Sequence, residues 1–245
     1  MRVALDGKGL DLGAAFSEAP APMADDDDGE DFEGERAPYP YANPPRLIPE
    51  EGDVDLEGFL GPGGPIELVI GPGRGAFVVE RSDAAPEARI LGMEIRRKWA
   101  QRVDERLERL GKHPRVRVVC EDAKLALPRV VPDGVLARVF IHFPDPWWKK
   151  RHQKRLVVVD PLVAQLIRLL ADDAELFLQT DVPERADEYR ARLDGFSELV
   201  AAGDEPDSPN LATNPYRAQS NRERRAGQDG LPVYRMRYRR ARRPT

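Results

Sequence analysis

The stretch Glu67-Leu68-Val69-Ile70-Gly71-Pro72-Gly73-Arg74-Gly75 decides the fold, because it joins a short apolar run to a G-x-G-x-G turn. Glycines in such a turn let the backbone approach a ligand closely, and they leave the N–H groups of the following helix free to bind it. By itself the turn is compatible with a dinucleotide, with adenosylmethionine or with a tight structural turn. The stretch predicts a strand, a turn and a helix, with Gly71, Gly73 and Gly75 as candidate ligand contacts.

Outward from this turn, short β-branched runs alternate with longer charged segments of helical period. That alternation is typical of a mostly parallel sheet with helices on both faces. An alternation of period two near the C-terminus predicts an antiparallel last strand. The sequence predicts seven strands, at residues 66–70, 89–94, 115–120, 136–143, 174–179, 196–201 and 231–239.

Two of the intervening segments have a clear helical stripe. In the first, about 95–111, apolar residues recur at three- and four-residue steps, and Gly111 is the expected stop. The second spans about 160–171, with leucines facing the sheet. The two stripes consist of Ile95, Trp99, Val103, Leu107 and Leu110 in the first helix, and of Leu162, Leu166, Leu169 and Leu170 in the second.

The composition excludes several classes of protein. The chain has 245 residues, of which 41% are hydrophobic and 33% charged, and this suits one globular domain with an appendage. No stretch approaches the roughly 18 apolar residues of a membrane helix, and the first residues lack a secretory apolar region, so we expect a cytoplasmic protein. With one cysteine and three scattered histidines, we expect neither a disulfide nor a metal site.

The charge is distributed unevenly. Residues 1–60 hold 16 acidic and four basic residues, whereas residues 61–245 hold 27 acidic and 34 basic ones. The first segment is also rich in proline and has no sustained apolar period, which predicts an acidic, largely disordered arm at residues 1–60 and a basic folded domain at 61–245. Within the arm, the stretch from Pro38-Tyr39-Pro40-Tyr41 to Leu47-Ile48 is a candidate to pack on the domain. The arm is either a solvated tail or a competitor for a polyanion on the basic surface.

Two acids follow the second and third predicted strands. Glu94 ends the second strand, where an acid can accept hydrogen bonds from ribose hydroxyls, and Asp122 follows the third. Because the carboxyl ends of parallel strands meet at one crevice, the glycine turn, Glu94 and Asp122 are candidates to hold methionine, ribose and adenine of adenosylmethionine. The alternative is that the glycine turn, Glu94 and Asp122 are unrelated structural features of an α/β domain. Cys120, beside them, is expected to be a small buried residue.

The fourth strand is followed by Phe143-Pro144-Asp145-Pro146-Trp147-Trp148-Lys149-Lys150-Arg151-His152-Gln153-Lys154-Arg155. Two prolines fix the backbone on both sides of Asp145, so its carboxylate can be directed at the crevice. Two indoles beside five cations suit base stacking and phosphate binding. We therefore expect Lys150, Arg151, Lys154 and Arg155 to contact phosphates. The alternative is that Trp147 packs in the core and that the cations begin a solvated helix.

This string resembles the hallmark of the bacterial tRNA (guanine-N7)-methyltransferases, and the resemblance covers about residues 65–240. It implies a Rossmann-like class I methyltransferase fold, S-adenosylmethionine as cofactor, and N7 methylation of guanosine 46 in the variable loop of tRNA. It implies that Glu94, Asp122 and Asp145 bind the cofactor, with Asp145 at the catalytic position. It further implies that Lys149 and Asp181 bind the substrate. A monomer and a homodimer both remain open.

The sequence departs from the family in two places. The usual Glu-Ile-Gly of the first motif has Val69 at the glutamate position, and Glu67 lies two residues earlier on the same strand face. The usual Thr-Lys-Phe-Glu of the substrate motif becomes Ser220-Asn221-Arg222-Glu223, which keeps the hydroxyl and the carboxylate and loses the aromatic ring. Ser220 and Glu223 are the remaining candidates for substrate binding.

Guanine N7 carries a lone pair that faces the major groove, so its methylation needs alignment and no general base. Asp145, Asp181 and Glu223 are candidates to accept hydrogen bonds from guanine N1–H and the exocyclic amine. Ten arginines after Pro215 are expected to form a phosphate-binding surface, although charge protection of an edge strand explains some of them.

Three other functions stay open. They are an adenosylmethionine enzyme for another RNA or a small molecule, an RNA-binding homologue that has lost its cofactor, and, more remotely, a nicotinamide-dependent dehydrogenase. The last is disfavoured by the glycine pattern and the basic tail.

Overall fold

The computed structural model describes residues 41–146 and 156–244. The strands in this part of the chain are β1 (Val54–Asp55), β2 (Ile66–Ile70), β3 (Arg89–Met93), β4 (Val116–Val119), β5 (Val130–Val131), β6 (Leu136–His142), β7 (Leu170–Thr180), β8 (Leu199–Ala201) and β9 (Tyr234–Arg240). The helices are α1 (Leu56–Leu60), α2 (Ala76–Ala84), α3 (Arg97–Arg109), α4 (Ala123–Ala126), α5 (Asp160–Leu169), α6 (Pro183–Asp194) and α7 (Asn221–Gln228), with a 3-10 turn at Leu127–Arg129.

Seven of these strands form one sheet in the order β4-β3-β2-β6-β7-β9-β8. Neighbouring strands from β4 to β7 are parallel, and β9 is antiparallel to both β7 and β8. The predicted fold class is therefore confirmed, including the antiparallel last strand. The chain runs outward from β2 to β4 and then returns to the other side of β2 as β6. Ligands of open α/β sheets bind at the carboxyl ends of the strands at such a reversal.

Helices cover both faces of the sheet because alternate strand residues point to opposite sides. On one face, α2 and α3 pack on a cluster that includes Val69, Phe140 and Phe177. On the other face, α1, α4, α5 and α6 pack on a cluster that includes Leu68 and Ile141. Strands that are buried on both faces read as continuous apolar runs, which is why β2 and β6 were recognisable in the sequence.

Helix α3 begins two residues later than predicted and ends at Arg109. Lys112 N–H donates to Leu107 O at 2.9 Å and Gly111 N–H to Glu108 O at 2.8 Å, so Gly111 ends the helix in a Schellman motif, as predicted. The buried stripe is narrower than the sequence suggested, because Leu110 is 48% exposed. Ile95 was predicted in the helix, and this is wrong: it lies before α3 and is 62% exposed.

Packing begins before β2, in residues that were assigned to the acidic arm. Leu47, Val54, Leu56 and Leu60 are fully buried, and β1 pairs in parallel with β5. This stretch has no sustained apolar period because its buried side chains come from a loop, a two-residue strand and a one-turn helix. The predicted disorder of residues 1–40 lies outside the described residues and stays a prediction.

No helix within residues 41–146 and 156–244 is both long and apolar enough to cross a membrane.

Candidate active site

A cavity of about 650 Å³ opens at the carboxyl ends of the parallel strands. Its wall is formed by residues that follow β2, β3, β4, β6 and β7, together with the start of α7. The predicted site residues that line it are Gly71, Gly73, Glu94, Asp122, Asp145, Asp181 and Ser220. Two other predicted residues, Gly75 and Glu223, do not line it.

The glycine turn forms the floor of this cavity. Gly71 and Gly73 have φ angles of 68° and 55°, in the left-handed region that favours glycine, and a Cβ at either position would meet no atom within 4 Å. Their open faces leave room for a ligand to approach the backbone. Gly75 has φ 78°, but a Cβ there would lie 2.4 Å from Cγ1 of Val103. The missing side chain of Gly75 therefore allows α2 to pack against α3.

Glu94 connects the end of β3 to the glycine turn. Its carboxylate accepts a hydrogen bond from Gly73 N–H at 2.9 Å and another from Arg96 N–H at 3.0 Å, one on each oxygen. Only 5% of the residue is exposed. An ionised carboxylate has about four acceptor positions, so each oxygen can accept one further hydrogen bond. The two backbone donors orient the group, and the free positions suit a pair of vicinal hydroxyls.

Asp122 and Ile95 complete this half of the cavity. Asp122 is the N-cap of α4 and accepts a hydrogen bond from Lys124 N–H at 2.9 Å, while its side chain remains 38% exposed. Ile95 presents an apolar side chain to the same cavity. An exposed aliphatic side chain beside an acid suits a flat heterocycle with an exocyclic amine. Sequence periodicity missed Ile95 because it lies one step before a real apolar stripe.

The proline-flanked turn after β6 has an unusual backbone. Phe143 has φ 48°, although a bulky residue before a proline normally adopts an extended conformation. Such a conformation costs on the order of 1–3 kcal/mol and persists where the surrounding contacts impose it. Phe143 N–H donates to Gln179 O at 2.7 Å, and Arg185 donates to Pro146 O. The turn is thereby held at both ends.

Asp145, at the centre of this turn, faces the cavity. The closest atoms of Arg96 and Asp145, Nη2 and Oδ2, lie 3.5 Å apart, and their side chains are 61% and 50% exposed. Arg96 follows β3 and Asp145 follows β6, so this ion pair joins two strand ends on either side of β2. An exposed pair of this kind contributes little to stability, and its carboxylate is accessible to a ligand.

Asp181 and Ser220 form the opposite wall. Asp181 follows β7, and its side chain is only 8% exposed. Arg222, on the first turn of α7, donates to Asp181 Oδ2. Ser220 is the N-cap of α7, and its hydroxyl accepts from Glu223 N–H at 3.1 Å. The serine therefore shapes the start of the helix that brings Arg222 to the cavity.

Glu223 lies behind this wall and is 3% exposed. Its carboxylate accepts hydrogen bonds from Gln179 Nε2 at 3.0 Å, from Asn214 Nδ2 at 3.0 Å and from Arg235 Nη2 at 3.1 Å. Such a carboxylate is occupied by donors of the protein itself and does not face the cavity. We therefore describe Glu223 as the centre of a buried polar network.

His142, at the end of β6, belongs to the same network and was missed in the sequence. The side chain of Gln179 donates through Nε2 to Glu223, and the same nitrogen lies 2.9 Å from His142 Nδ1. Nδ1 therefore accepts, and the neutral imidazole carries its proton on Nε2. Burial lowers the pKa of His142 to about 3, so the ring is neutral at physiological pH. Within this apolar strand, nothing in the sequence except the residue type indicated that His142 belongs to the site.

Glu67 does not replace the glutamate that the first motif usually contains. It is fully buried and does not line the cavity. Arg81 donates to both of its oxygens, at 2.8 and 2.7 Å, and Arg138 donates to Oε1 at 2.9 Å. Val69 is buried among the aromatic residues under α2. Glu67 therefore serves an ion network inside the domain.

The C-terminal arginines are mostly engaged within the domain. Nine of the ten arginines after Pro215 make an ion pair or a hydrogen bond to another residue of the chain. They neutralise acids on α2, β7 and neighbouring loops, and a sequence does not reveal which cations already have such partners. The side chains of Arg225, Arg239 and Arg242 nevertheless remain 67%, 54% and 79% exposed, and a phosphate-binding surface formed by such residues stays a prediction.

The remaining site predictions lie outside the described residues. These are the substrate position Lys149 and the phosphate contacts Lys150, Arg151, Lys154 and Arg155. Within residues 41–146 and 156–244, no group of three or more His, Cys, Asp or Glu side chains is arranged to hold a metal ion.

Comparisons with known proteins agree with this geometry. Residues 64–236 match a family model described as "Putative methyltransferase". A tRNA (guanine-N(7)-)-methyltransferase of Myxococcus xanthus is 34% identical over 207 residues, which are 79% of this chain and 96% of that protein. The protein of the same name from Synechococcus sp. strain WH7803 is 39% identical, over 80% of this chain and 84% of its own length.

Among solved structures, the 16S rRNA methyltransferase KamB matches with a TM-score of 0.54 at 13% identity, over 76% of this chain and 92% of that one. At this identity the likeness supports the fold alone. The family match spans the glycine turn and both walls of the cavity.

Proposed function

The chain belongs to the tRNA (guanine-N7)-methyltransferase family, and from this premise we propose that it transfers the methyl group of S-adenosylmethionine to N7 of a guanosine in tRNA. One observation carries the proposal: the glycine turn, three strand-end acids and Asp181 converge on a single cavity at the reversal of the sheet. Family membership supplies the substrate class, and the convergence supplies a site at which donor and acceptor can meet.

The residues on the β2-β3-β4 side of the cavity fit the cofactor. Gly71 and Gly73 leave open space above the backbone for its amino-acid portion. Glu94 offers two oriented acceptors to the ribose, and Asp122 with Ile95 offers an acceptor and an apolar surface to the adenine. We propose the glycine turn, Glu94, Asp122 and Asp145 as the cofactor-binding residues. When bound, the cofactor supplies an electrophilic methyl group on a sulfonium.

The residues on the β6-β7-α7 side are proposed to bind and orient the guanine. N7 attacks through a lone pair that it already presents, so no side chain has to remove a proton. Catalysis then rests on proximity and orientation, which supply about 7–11 kcal/mol where the geometry is good. Asp145 lies between the two halves and is proposed as the catalytic positioning group. Asp181 is proposed to accept from guanine N1–H and the exocyclic amine.

Glu223 and Ser220 are proposed to act on the substrate indirectly, by positioning other residues. Glu223 fixes the Gln179 amide, which sets the tautomer of His142, and Ser220 fixes the first turn of α7. The cations that follow the proline-flanked turn, Lys149, Lys150, Arg151, Lys154 and Arg155, are proposed to contact tRNA phosphates. We propose the variable-loop guanosine 46 as the methylated nucleotide and the cytoplasm as the compartment.

The test is methyl transfer from labelled S-adenosylmethionine to unmodified tRNA, followed by nucleoside analysis. We expect N7-methylguanosine, and we expect no label in a tRNA whose variable-loop guanosine is replaced by adenosine. Label only in another base or in a small molecule contradicts the proposal. Calorimetry with S-adenosylhomocysteine is the companion measurement, because no binding at millimolar ligand favours a homologue that has lost its cofactor.

A further inference from the structure

The ion pair between Arg222 and Asp181 lies in the wall of the cavity where the guanine is proposed to bind. The two partners differ in exposure: the side chain of Asp181 is 8% exposed and that of Arg222 is 50% exposed. The carboxylate is therefore fixed in the wall, whereas the guanidinium is half in solvent. Within the described residues, Arg222 donates a hydrogen bond to this carboxylate, and both side chains line the same cavity.

The guanidinium and the guanine offer the same pattern of donors. A guanidinium presents parallel N–H groups in a planar fork that matches the two oxygens of a carboxylate. The Watson–Crick edge of guanine presents N1–H and an exocyclic N–H in the same parallel arrangement. Arg222 donates to Oδ2 of Asp181 through one of its terminal nitrogens, so a guanine that donates to both carboxylate oxygens competes with it for that acceptor.

The surroundings of Arg222 favour its release when another anion arrives. Arg222 stands in the first turn of α7, where the helix dipole disfavours a cation. Arg225, one turn further along, lines the same cavity and is itself paired with Asp229 at 2.8 Å, so it adds a second cationic group without a second bond to Asp181. When a neutral guanine binds to Asp181, the Arg222 cation loses its carboxylate partner. A phosphate of the same RNA can then become the new anionic partner of Arg222.

We propose that Arg222 occupies the guanine-binding carboxylate of Asp181 before the substrate arrives, and moves to a tRNA phosphate when the guanine takes its place. The inference rests on the proposed function, since it requires a guanine substrate. Arg222 is then a positioning and specificity residue. When the guanine belongs to tRNA, a phosphate of the RNA can pair with the released Arg222 and offset the loss of its ion pair with Asp181. A free nucleoside has no phosphate and cannot offset that loss. The family's usual aromatic residue at this position cannot perform the exchange.

The test compares two ligands that differ in phosphate. Guanosine, which has none, is titrated by NMR into protein saturated with S-adenosylhomocysteine, and tRNA is followed through KM and its salt dependence. Arg222→Met keeps an unbranched side chain and removes the donors. We expect it to bind guanosine at least about fivefold more tightly than wild type, and to bind tRNA more weakly, with the salt slope reduced by about one.

Arg225→Met is the matched control, because it removes the other arginine that α7 brings to the cavity. It is expected to reduce the salt slope for tRNA by about one and to leave the affinity for guanosine unchanged. Unchanged affinity for S-adenosylhomocysteine in both variants shows that the fold is intact. A purely structural role of Arg222 weakens the binding of both ligands together.

The outcomes separate this inference from the proposed function. If wild-type protein forms N7-methylguanosine in tRNA but Arg222→Met binds guanosine no more tightly than wild type, the exchange is wrong and the function stands. If wild-type protein forms no N7-methylguanosine, the proposed function and the exchange both fail.

Discussion

Glu94 accepts a hydrogen bond from the backbone of Gly73 at 2.9 Å, so the acid at the end of β3 holds the glycine turn at the end of β2. The two features are 21 residues apart in the chain and adjacent in the sheet. The turn is therefore preorganised by the same carboxylate that is proposed to bind the ribose. A single side chain couples the shape of the methionine subsite to that of the ribose subsite.

We predict that Glu94→Gln weakens S-adenosylhomocysteine binding by about 10- to 100-fold. Glutamine keeps one carbonyl oxygen, so one of the two backbone donors then faces an amide NH2, and hydrogen bonds to a charged acceptor contribute about 1.5–3 kcal/mol each. Calorimetry measures the affinity. Glu105→Gln, an exposed position on α3, is the control and should bind like wild type. Equal affinity of the Glu94 variant and wild type would remove Glu94 from the site.

Asp145→Ala is predicted to lower kcat/KM for tRNA by at least about 100-fold. The residue is half exposed and its ion pair with Arg96 is long, so the free energy of unfolding should change by no more than about 0.5 kcal/mol. Methyl transfer and chemical denaturation are measured on the same preparation. Asp187→Ala, on the exposed side of α6, serves as control for both. Normal turnover by the Asp145 variant contradicts its assignment.

Much of the fold was predictable because its determinants are local. The runs that became β2 and β6 are mostly apolar on both faces despite Glu67, Arg138 and His142, and Gly111 ends α3 through a backbone conformation that glycine favours. Gly71, Gly73, Glu94, Asp122 and Asp145 were identifiable because parallel strands deliver their carboxyl ends to one edge. Each of these residues closely follows a parallel strand or lies at its end, so its place in the sequence is enough to put it at that edge of the sheet.

Other features depended on contacts between distant segments. Val54 and Val130 pair across a long separation, and neither lies in a periodic stretch. Glu223 was expected at the substrate, but its three donors come from β7, β9 and the preceding loop, and together they bury it. The engagement of Arg239 in β9 likewise depends on Glu175, which is 64 residues away in the chain and which local patterns do not encode.

The environment of Glu67 leads to a prediction about stability. Glu67→Gln leaves Arg81 and Arg138 without the carboxylate that neutralises them in the interior, and breaking a buried ion pair in this way costs about 3–5 kcal/mol. Denaturant unfolding measures the loss. Affinity for S-adenosylhomocysteine, measured where the variant is folded, should stay within about twofold of wild type, because Glu67 does not line the cavity.

A large loss of cofactor affinity in folded Glu67→Gln would contradict this assignment. It would indicate that Glu67 takes over the role of the glutamate that the first motif usually has at the position of Val69. Glu87→Gln, an exposed position before β3, is the control for the substitution itself.

The buried imidazole of His142 predicts a specific dependence of stability on pH. Burial lowers its pKa from 6.5 to about 3 in the folded protein, so the unfolded chain binds a proton below pH 6.5 that the folded protein does not. Folding stability is therefore fully present above pH 6.5 and falls as the pH decreases towards 3. At 1.36 kcal/mol for each unit, His142 alone should account for a loss of about 2 kcal/mol between pH 6.5 and pH 5.

His142→Phe removes this titration and keeps an aromatic ring beside Phe77 and Phe140. The substitution leaves one Gln179 donor without its partner, so the variant should be less stable at pH 7. The destabilisation caused by the unpaired Gln179 donor is independent of pH. The stability that wild type loses on acidification, because its buried imidazole stays neutral, depends on pH. The difference between the unfolding free energies of wild type and variant, from denaturant titrations at several pH values, should therefore shrink by about 2 kcal/mol from pH 6.5 to 5. A difference that stays constant over this range would show that the imidazole is protonated in the folded protein, and would contradict the neutral tautomer that connects Glu223 to the cavity.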